Sequence, residues 1–168
     1  MRKTIFFFIL FSVATTISAQ TATEPKRYTK VTNGYLMVLR QGDDIFKQLE
    51  AFAIAENIPS ANFTGMGFAS SVTFGFFNSQ TKQFERQEFQ KVEIASLSGS
   101  IAKKGANYSV HAHGVATGRD FAAHGGHMLF GTVGTGSVEI MITVHDKIFE
   151  RKFEPKISAE VLCLENCK

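Results

Sequence analysis

The chain has 168 residues, 44% of them hydrophobic and 17 of them phenylalanine, which is enough for one domain with a sizeable apolar core. Its 18 Lys and Arg residues nearly balance its 15 Asp and Glu residues, and the formal net charge is +3. Lys103-Lys104 and Arg151-Lys152 are isolated basic pairs typical of solvated strand ends, so the composition argues against a nucleic-acid partner bound through its phosphates.

Residues 1–19 have the pattern of a secretory signal peptide. Arg2-Lys3 forms a basic start, residues 5–13 form an apolar run, and the small residues ending at Ala19 suit cleavage. A membrane anchor is the alternative, but the run is shorter than the roughly 20 residues that span a bilayer. The pattern predicts an exported protein, periplasmic or extracellular, with no stable membrane span after cleavage. Loss of the two basic residues lowers the formal net charge from +3 to +1.

The mature chain is predicted to start with a strand and a helix. Residues 20–32 form a disordered lead-in, because their first part is polar and contains proline, and residues 35–40 form an apolar strand. Asp43 and Asp44 then offer an N-cap for a helix that ends before Pro59. The apolar positions of this helix, at helical spacing, are Ile45, Leu49, Phe52 and Ala53.

Short segments rich in Phe, Val and Thr follow the helix and predict a β-sheet. The predicted strands cover residues 61–66, 71–77, 83–89, 92–101, 107–116, 127–133 and 138–144. One main helix packed on a mostly antiparallel, partly mixed sheet gives the α+β class. The domain is predicted to span residues 33–152, and residues 153–168 form a C-terminal strand or tail.

Four of the five histidines fall within seventeen residues of one another. In a strand, His111 and His113 project from the same face, which is the geometry of a two-imidazole metal clamp. A third imidazole from the glycine-flanked His127 would leave one coordination position open, as in reactive zinc sites. This pattern predicts a site for Zn²⁺ or another divalent metal on His111, His113 and His127. The alternative is a set of unrelated surface or core histidines.

His124 and His145 are given different roles from the three predicted ligands. His124 is a fourth ligand, a proton carrier or an exposed residue. Because strand alternation points His124 and His127 in opposite directions, the exposed or supporting position is favoured. His145 is predicted to lie on the surface.

The two cysteines, Cys163 and Cys167, stand near the C-terminus. Export to an oxidising compartment permits a disulfide. An extended chain would hold their α-carbons roughly 13 Å apart, which is too far to bridge, so a disulfide requires a turn between them. Two free thiols are the alternative.

Five motifs in a fixed order carry a resemblance to a known family. They are GMGFASSVTFGFF (65–77), VEIASLSGSIA (92–102), HAHG (111–114), HGGHMLFGTV (124–133) and VEIMIT (138–143). In this order they resemble the plants-and-prokaryotes conserved (PPC, or DUF296) domain, over about residues 33–150. The resemblance implies a compact unit with a strongly bent sheet and, as in bacterial members, a homotrimer. It also implies a metal site, usually assigned as zinc, on His111, His113 and His127.

The chain departs from the plant members of that family, which are nuclear proteins with an AT-hook. It has no R-G-R-P hook, and residues 90–95 read QKVEIA where plant domains have GRFEIL for partner binding. Together with the export signal, these departures argue against the DNA-binding label that the family often carries.

Three function classes follow from these observations. The first is a metal-binding homotrimer that takes a small anionic ligand at the open metal position. The second is a zinc-dependent enzyme, of lyase or hydrolase type, in which Glu93 acts as base and Arg119 orients a carboxylate. The fold group that the resemblance implies also contains acetolactate decarboxylase, a three-histidine zinc enzyme, which is an example of this second class. The third class is DNA binding or another protein-interaction role. The sequence ranks the binding domain first.

Overall fold

The computed structural model describes residues 25–164 and consists of one eight-stranded sheet and one helix. In chain order the elements are β1 Tyr28–Val31, β2 Gly34–Arg40, α1 Ile45–Ala55, β3 Ser60–Asn78, β4 Gln83–Lys104, β5 Asn107–Thr117, β6 Ala123–His145, β7 Glu150–Glu154 and β8 Ala159–Cys163. The strand order is β1-β2-β6-β3-β4-β7-β8, and β5 bridges β4 and β6. Within residues 25–164, only the β4–β7 pairing is parallel. The predicted α+β class, with a mostly antiparallel, partly mixed sheet, is confirmed.

Helix α1 begins at the cap that the sequence indicates. The backbone N–H groups of Phe46 and Lys47 donate to the Asp44 carboxylate at 3.0 and 3.1 Å, so Asp44 is the N-cap. Asp43 instead forms an ion pair with Arg27 at 2.7 Å. No helix within residues 25–164 is both long and apolar enough to cross a bilayer. The predicted apolar face packs into the core through Ile45, Leu49, Phe52 and Ala53.

Three pairs of predicted strands are single long strands, which corrects the breaks predicted within β3, β4 and β6. Bulges shift the register of the pairing without ending it. One shift falls at Gly67, where φ is +147° and an added Cβ would lie 2.1 Å from the Ser137 carbonyl oxygen. Only glycine allows the strands to approach this closely. The glycines therefore let the long strands change direction while they stay paired.

The lead-in predicted to be disordered contains strand β1, which is a second correction. The Tyr28 ring packs edge-on against Tyr35 and Phe52, with centroids 6.0 and 4.9 Å away. Its hydroxyl donates to the Glu56 carboxylate at 2.9 Å. Tertiary contacts of one aromatic residue thus order a segment whose composition is polar. Residues 1–19, assigned to the signal peptide, and residues 20–24 of the predicted lead-in lie outside the described residues.

Beyond β6 the chain forms a hairpin of β7 and β8. Strand β8 lies within the region from residue 153 that was predicted to be a strand or tail, and β7 begins three residues before that region. An ion pair between Lys104 and Glu160, at 2.5 Å, fastens β8 near the end of β4. Cys163 is buried at the end of β8 and is not a free thiol. Cys167 lies outside the described residues, so the pairing of the two cysteines stays a prediction.

Candidate metal centre

Two neighbouring strands, β5 and β6, carry the three predicted ligands. His113 pairs directly with His127, so their side chains leave the same face of the sheet. His111 lies two residues before His113 on β5, and alternation puts it on that face as well. The structure therefore has the shared face that was predicted for the H-x-H pair, and strand register adds the third imidazole.

The three imidazoles form one compact group. His111 Nε2 lies 3.1 Å from His127 Nδ1, and the three ring centroids are 4.9 to 5.2 Å apart. One ligand nitrogen from each ring lies within 4.8 Å of the others. A tetrahedral zinc ion with bonds of about 2.0–2.1 Å holds its nitrogens about 3.3 Å apart. The donor set fits one divalent ion after small ring rotations that close the widest separation.

Partial burial keeps two of these imidazoles, those of His111 and His127, in the neutral form that binds metals. Desolvation, followed by the positive charge of Arg151, lowers the pKa of His111 to about 4. Desolvation also lowers the pKa of His127, followed by the charges of His113 and Arg151. A neutral imidazole has the free lone pair that a metal requires, so both rings are available as ligands at neutral pH.

Metal-free protein is expected to lose stability as the pH falls from about 6.5 toward 4. In the unfolded chain His111 titrates near 6.5, whereas its pKa in the folded protein is about 4. The unfolded state therefore binds more protons over this interval, and acid favours unfolding. Thermal unfolding in a chelator between about pH 7.5 and about pH 4.5 measures the effect. His111→Gln should flatten the curve, and an equally steep curve would contradict the assignment.

The three histidines open into a cavity of about 1170 Å³ between the long strands and the β7–β8 hairpin. Aromatic rings form much of its wall. The Phe84 ring stacks on His127, with centroids 4.9 Å apart and planes inclined by 14°. Phe74, Phe77 and Phe89 line the same cavity. An ion held by three histidines would thus keep its open coordination position beside a partly apolar space large enough for a small molecule.

The sequence model of the Plants and Prokaryotes Conserved (PCC) domain, the family abbreviated PPC above, matches residues 26–146. The chain belongs to this family. The resemblance drawn from the five ordered motifs is therefore confirmed. No curated protein matches the sequence.

Solved structures of bacterial and archaeal proteins are similar to this PCC chain. A candidate DNA-binding protein from Ralstonia eutropha is 48% identical, with 82% of this chain and 96% of that chain covered and a TM-score of 0.80. A candidate DNA-binding protein from Bacteroides thetaiotaomicron is 26% identical, with 83% and 97% covered and a TM-score of 0.77. A metal-containing protein from Archaeoglobus fulgidus is 25% identical, with 83% and 100% covered and a TM-score of 0.71.

His124 of the PCC domain does not belong to the ligand group. It is exposed, pairs with Ala116, and its ring stacks on Phe89 with centroids 4.5 Å apart. It lines the cavity, but among the described residues the clustered donors are the other three histidines. His145 lies elsewhere, where its ring forms a hydrogen bond with Asn62. A tetrahedral ion held by this group would therefore have three protein ligands and one open position.

The two catalytic candidates named from the sequence do not reach this site within one chain. Glu93 is exposed on β4, opposite Phe68 of β3 and Thr117 of β5. Arg119 is exposed in the turn between β5 and β6. Neither residue lines the cavity. The hypothesis that Glu93 acts as base while Arg119 orients a carboxylate has no geometric support in the described chain.

Arg151 is a cavity residue that the sequence analysis missed. It was predicted to belong to a solvated pair, but it is only 8% exposed, and its Nη2 donates to Ser100 Oγ at 2.5 Å. Burial lowers the pKa of its guanidinium. Alternation along β7 puts Arg151 and Phe153 on the face that lines the cavity. The alternation of side chains along this strand could be predicted from the sequence. The adjacent Lys152 nevertheless led to the prediction that Arg151 is exposed to solvent.

Proposed function

We propose that this PCC-domain protein is exported and binds one divalent metal ion, with zinc preferred, through His111, His113 and His127. The open coordination position takes a small anionic ligand from the adjoining cavity. The observation that carries the proposal is the group of three imidazole nitrogens within 4.8 Å, of which two belong to rings with lowered pKa.

Zinc is preferred because of the donor set. Neutral imidazoles suit zinc and the later transition metals, whereas calcium and magnesium prefer oxygen ligands. Three protein ligands with one free position are typical of reactive zinc sites, where the ion polarises a ligand oxygen. The description of the Archaeoglobus relative as metal-containing supports metal binding by a protein of this fold.

The charged groups in the cavity favour binding over catalysis. Within the described chain, the carboxylates that line it are Glu85 and Glu160. Glu85 is exposed and accepts a hydrogen bond from Asn78, and Glu160 forms the ion pair with Lys104. A general base must reach the proton that it removes, and neither acid is free of another partner. A zinc-dependent enzyme is therefore the second candidate.

Export and the charge balance argue against DNA as the partner. The basic, apolar and small-residue pattern of residues 1–19 supports export to the periplasm or the extracellular space. The chain from residue 20 onward has a formal net charge of only +1. Non-specific DNA binding depends on Lys and Arg side chains that neutralise the phosphates. A nearly neutral chain has little excess positive charge for this purpose. The DNA-binding description of the Ralstonia and Bacteroides relatives is not extended to this chain.

An uncovered apolar surface supports assembly into the homotrimer that the resemblance implies. Met66 and Phe68 of β3 and Met141 of β6 are 59%, 47% and 43% exposed. Ile140 and Ile142, which flank Met141 on β6, point the other way and are fully buried. Large exposed apolar groups on one sheet face are typical of interaction surfaces. Burial of this face between subunits would remove it from water.

The proposal is tested by the metal content and mass of the mature chain, prepared from residue 20 without a histidine tag. After zinc supplementation and gel filtration we expect about one zinc per chain and a light-scattering mass of about three chains. Less than about a tenth of an equivalent of zinc would contradict the metal site. A cobalt-substituted sample should also change its visible spectrum when acetate is added, because the open position then exchanges its ligand.

A further inference from the structure

One polar group in the cavity lacks a partner that its chemistry requires. Arg151 is more than nine-tenths buried, and its Nε has no hydrogen-bond partner among the described residues. Its only side-chain hydrogen bond recorded in the described chain goes from Nη2 to the neutral hydroxyl of Ser100. A buried donor without a partner is costly, and a buried charge is costlier still. A buried polar group without a partner therefore calls for an explanation, such as a bound ion or ligand that supplies the missing hydrogen bond.

The guanidinium and the histidines share one side of the sheet. Ser100 of β4 pairs directly with His111 of β5, so the two side chains project from the same face. Arg151 bonds to Ser100 from the neighbouring strand β7 and therefore lies beside His111. The lowering of the His111 pKa by the charge of Arg151 agrees with this proximity. Arg151 and the histidine group thus face the same space.

No acidic side chain of the described residues neutralises Arg151. The ion pairs within residues 25–164 involve other cations, and Glu160, whose charge raises the pKa of Arg151, forms its ion pair with Lys104. The cavity around the guanidinium is walled by Phe84, Phe89 and Phe153. The site therefore presents a buried guanidinium that has no ion-pair partner among the described residues, next to an apolar wall.

We propose that Arg151 binds the carboxylate of a small organic acid with an apolar substituent. Nε and the remaining hydrogen of Nη2 form the side of the guanidinium fork that holds a carboxylate through two hydrogen bonds. The apolar substituent packs on the phenylalanine wall, and Ser100 positions the guanidinium. Contact of the same ligand with an ion on the three histidines rests on the proposed metal function, but the carboxylate contact with Arg151 does not.

A carboxylate matches this site better than a phosphate does. One guanidinium balances one negative charge, whereas phosphate carries nearly two and lacks an apolar part for the aromatic wall. The probe for the test is isobutyrate, which has one charge and a branched apolar end. Isobutyramide has the same shape without the charge, and inorganic phosphate has the charge without the apolar end.

The test is calorimetric titration of these three probes into zinc-loaded and chelator-treated mature protein. We expect isobutyrate to bind and isobutyramide to bind at least about tenfold more weakly. Arg151→Met should weaken isobutyrate binding about ten- to hundred-fold in both samples while the zinc content stays unchanged. Arg86→Met is the matched control, because Arg86 lines the cavity but is exposed, and it should leave isobutyrate binding nearly unchanged.

Stability separates a binding role from a structural one. If Arg151 only supported the fold, Arg151→Met would lower the melting temperature. As a binding residue it leaves a buried charge unpaired, so its replacement by an apolar side chain should leave the melting temperature unchanged or raise it. Arg151→Lys is a second variant, which keeps the charge, loses the fork and should bind isobutyrate with intermediate affinity.

The outcomes distinguish this inference from the proposed function. Protein that binds no zinc but binds isobutyrate through Arg151 would overturn the metal function and leave the carboxylate site standing. Zinc-loaded protein whose isobutyrate affinity is unaffected by Arg151→Met would overturn the carboxylate site. So would equal binding of isobutyramide, tighter Arg151-dependent binding of phosphate, or no binding of isobutyrate to either sample.

Discussion

His127→Ala is expected to abolish tight zinc binding by the mature protein. His127 supplies one of the three clustered imidazole nitrogens, and its ring contacts those of His111 and Phe84. Loss of a supporting group near a metal already costs about 10- to 100-fold in affinity, so loss of a ligand should cost at least about 100-fold. Zinc at about 100 times its dissociation constant stabilises a protein by about 2.7 kcal/mol. The resulting rise in melting temperature, about 5–10 °C, should be absent in the variant.

The control for this prediction is His124→Ala. His124 lies in the same cavity and also stacks on a phenylalanine, but it does not belong to the clustered donors. The control variant should keep about one zinc per chain and the zinc-dependent rise in melting temperature. Equal loss of zinc in the two variants would mean that four histidines hold the ion. Full zinc content in His127→Ala would refute the three-histidine site.

Phe52→Ala is expected to destabilise the domain by about 3–5 kcal/mol. Phe52 is 1% exposed on helix α1, and its ring packs edge-on against Tyr28 and Tyr35, with both centroids 4.9 Å away. Removal of the ring leaves a cavity and frees strand β1 from its aromatic contact. At about 2–4 °C per kcal/mol for a domain of this size, the melting temperature should fall by roughly 6–20 °C.

Phe121→Ala makes the same chemical change at a surface position. Phe121 is 88% exposed in the turn between β5 and β6, so its truncation should change stability by less than about 0.5 kcal/mol. Thermal unfolding of the two variants at neutral pH, without added metal, gives the comparison. Similar melting temperatures for Phe52→Ala and the parent protein would contradict the assignment of the Tyr28–Tyr35–Phe52 cluster to the core.

Local patterns predicted the features that depend on near neighbours in the chain. The N-cap at Asp44 and the four buried positions of α1 follow from capping chemistry and a 3.6-residue period, and the structure has both. The shared face of His111 and His113 follows from strand alternation alone. The bounds of the long strands were less predictable, because a glycine-rich segment is typical both of a β-bulge and of the end of a strand.

By itself, the sequence determined the α+β class, the family and the identity of the three histidines, because the ordered motifs and side-chain alternation are properties of the chain order. The tertiary structure decided which distant residues meet. The pairing of His113 with His127 depends on strand register, and the burial of Arg151 depends on the β7–β8 hairpin lying beside β4. Glu93 and Arg119 have charged side chains as Arg151 does, yet they do not line the cavity. A contact between distant strands depends on their order and register in the sheet, and a shift of one residue would turn each of these side chains to the other face.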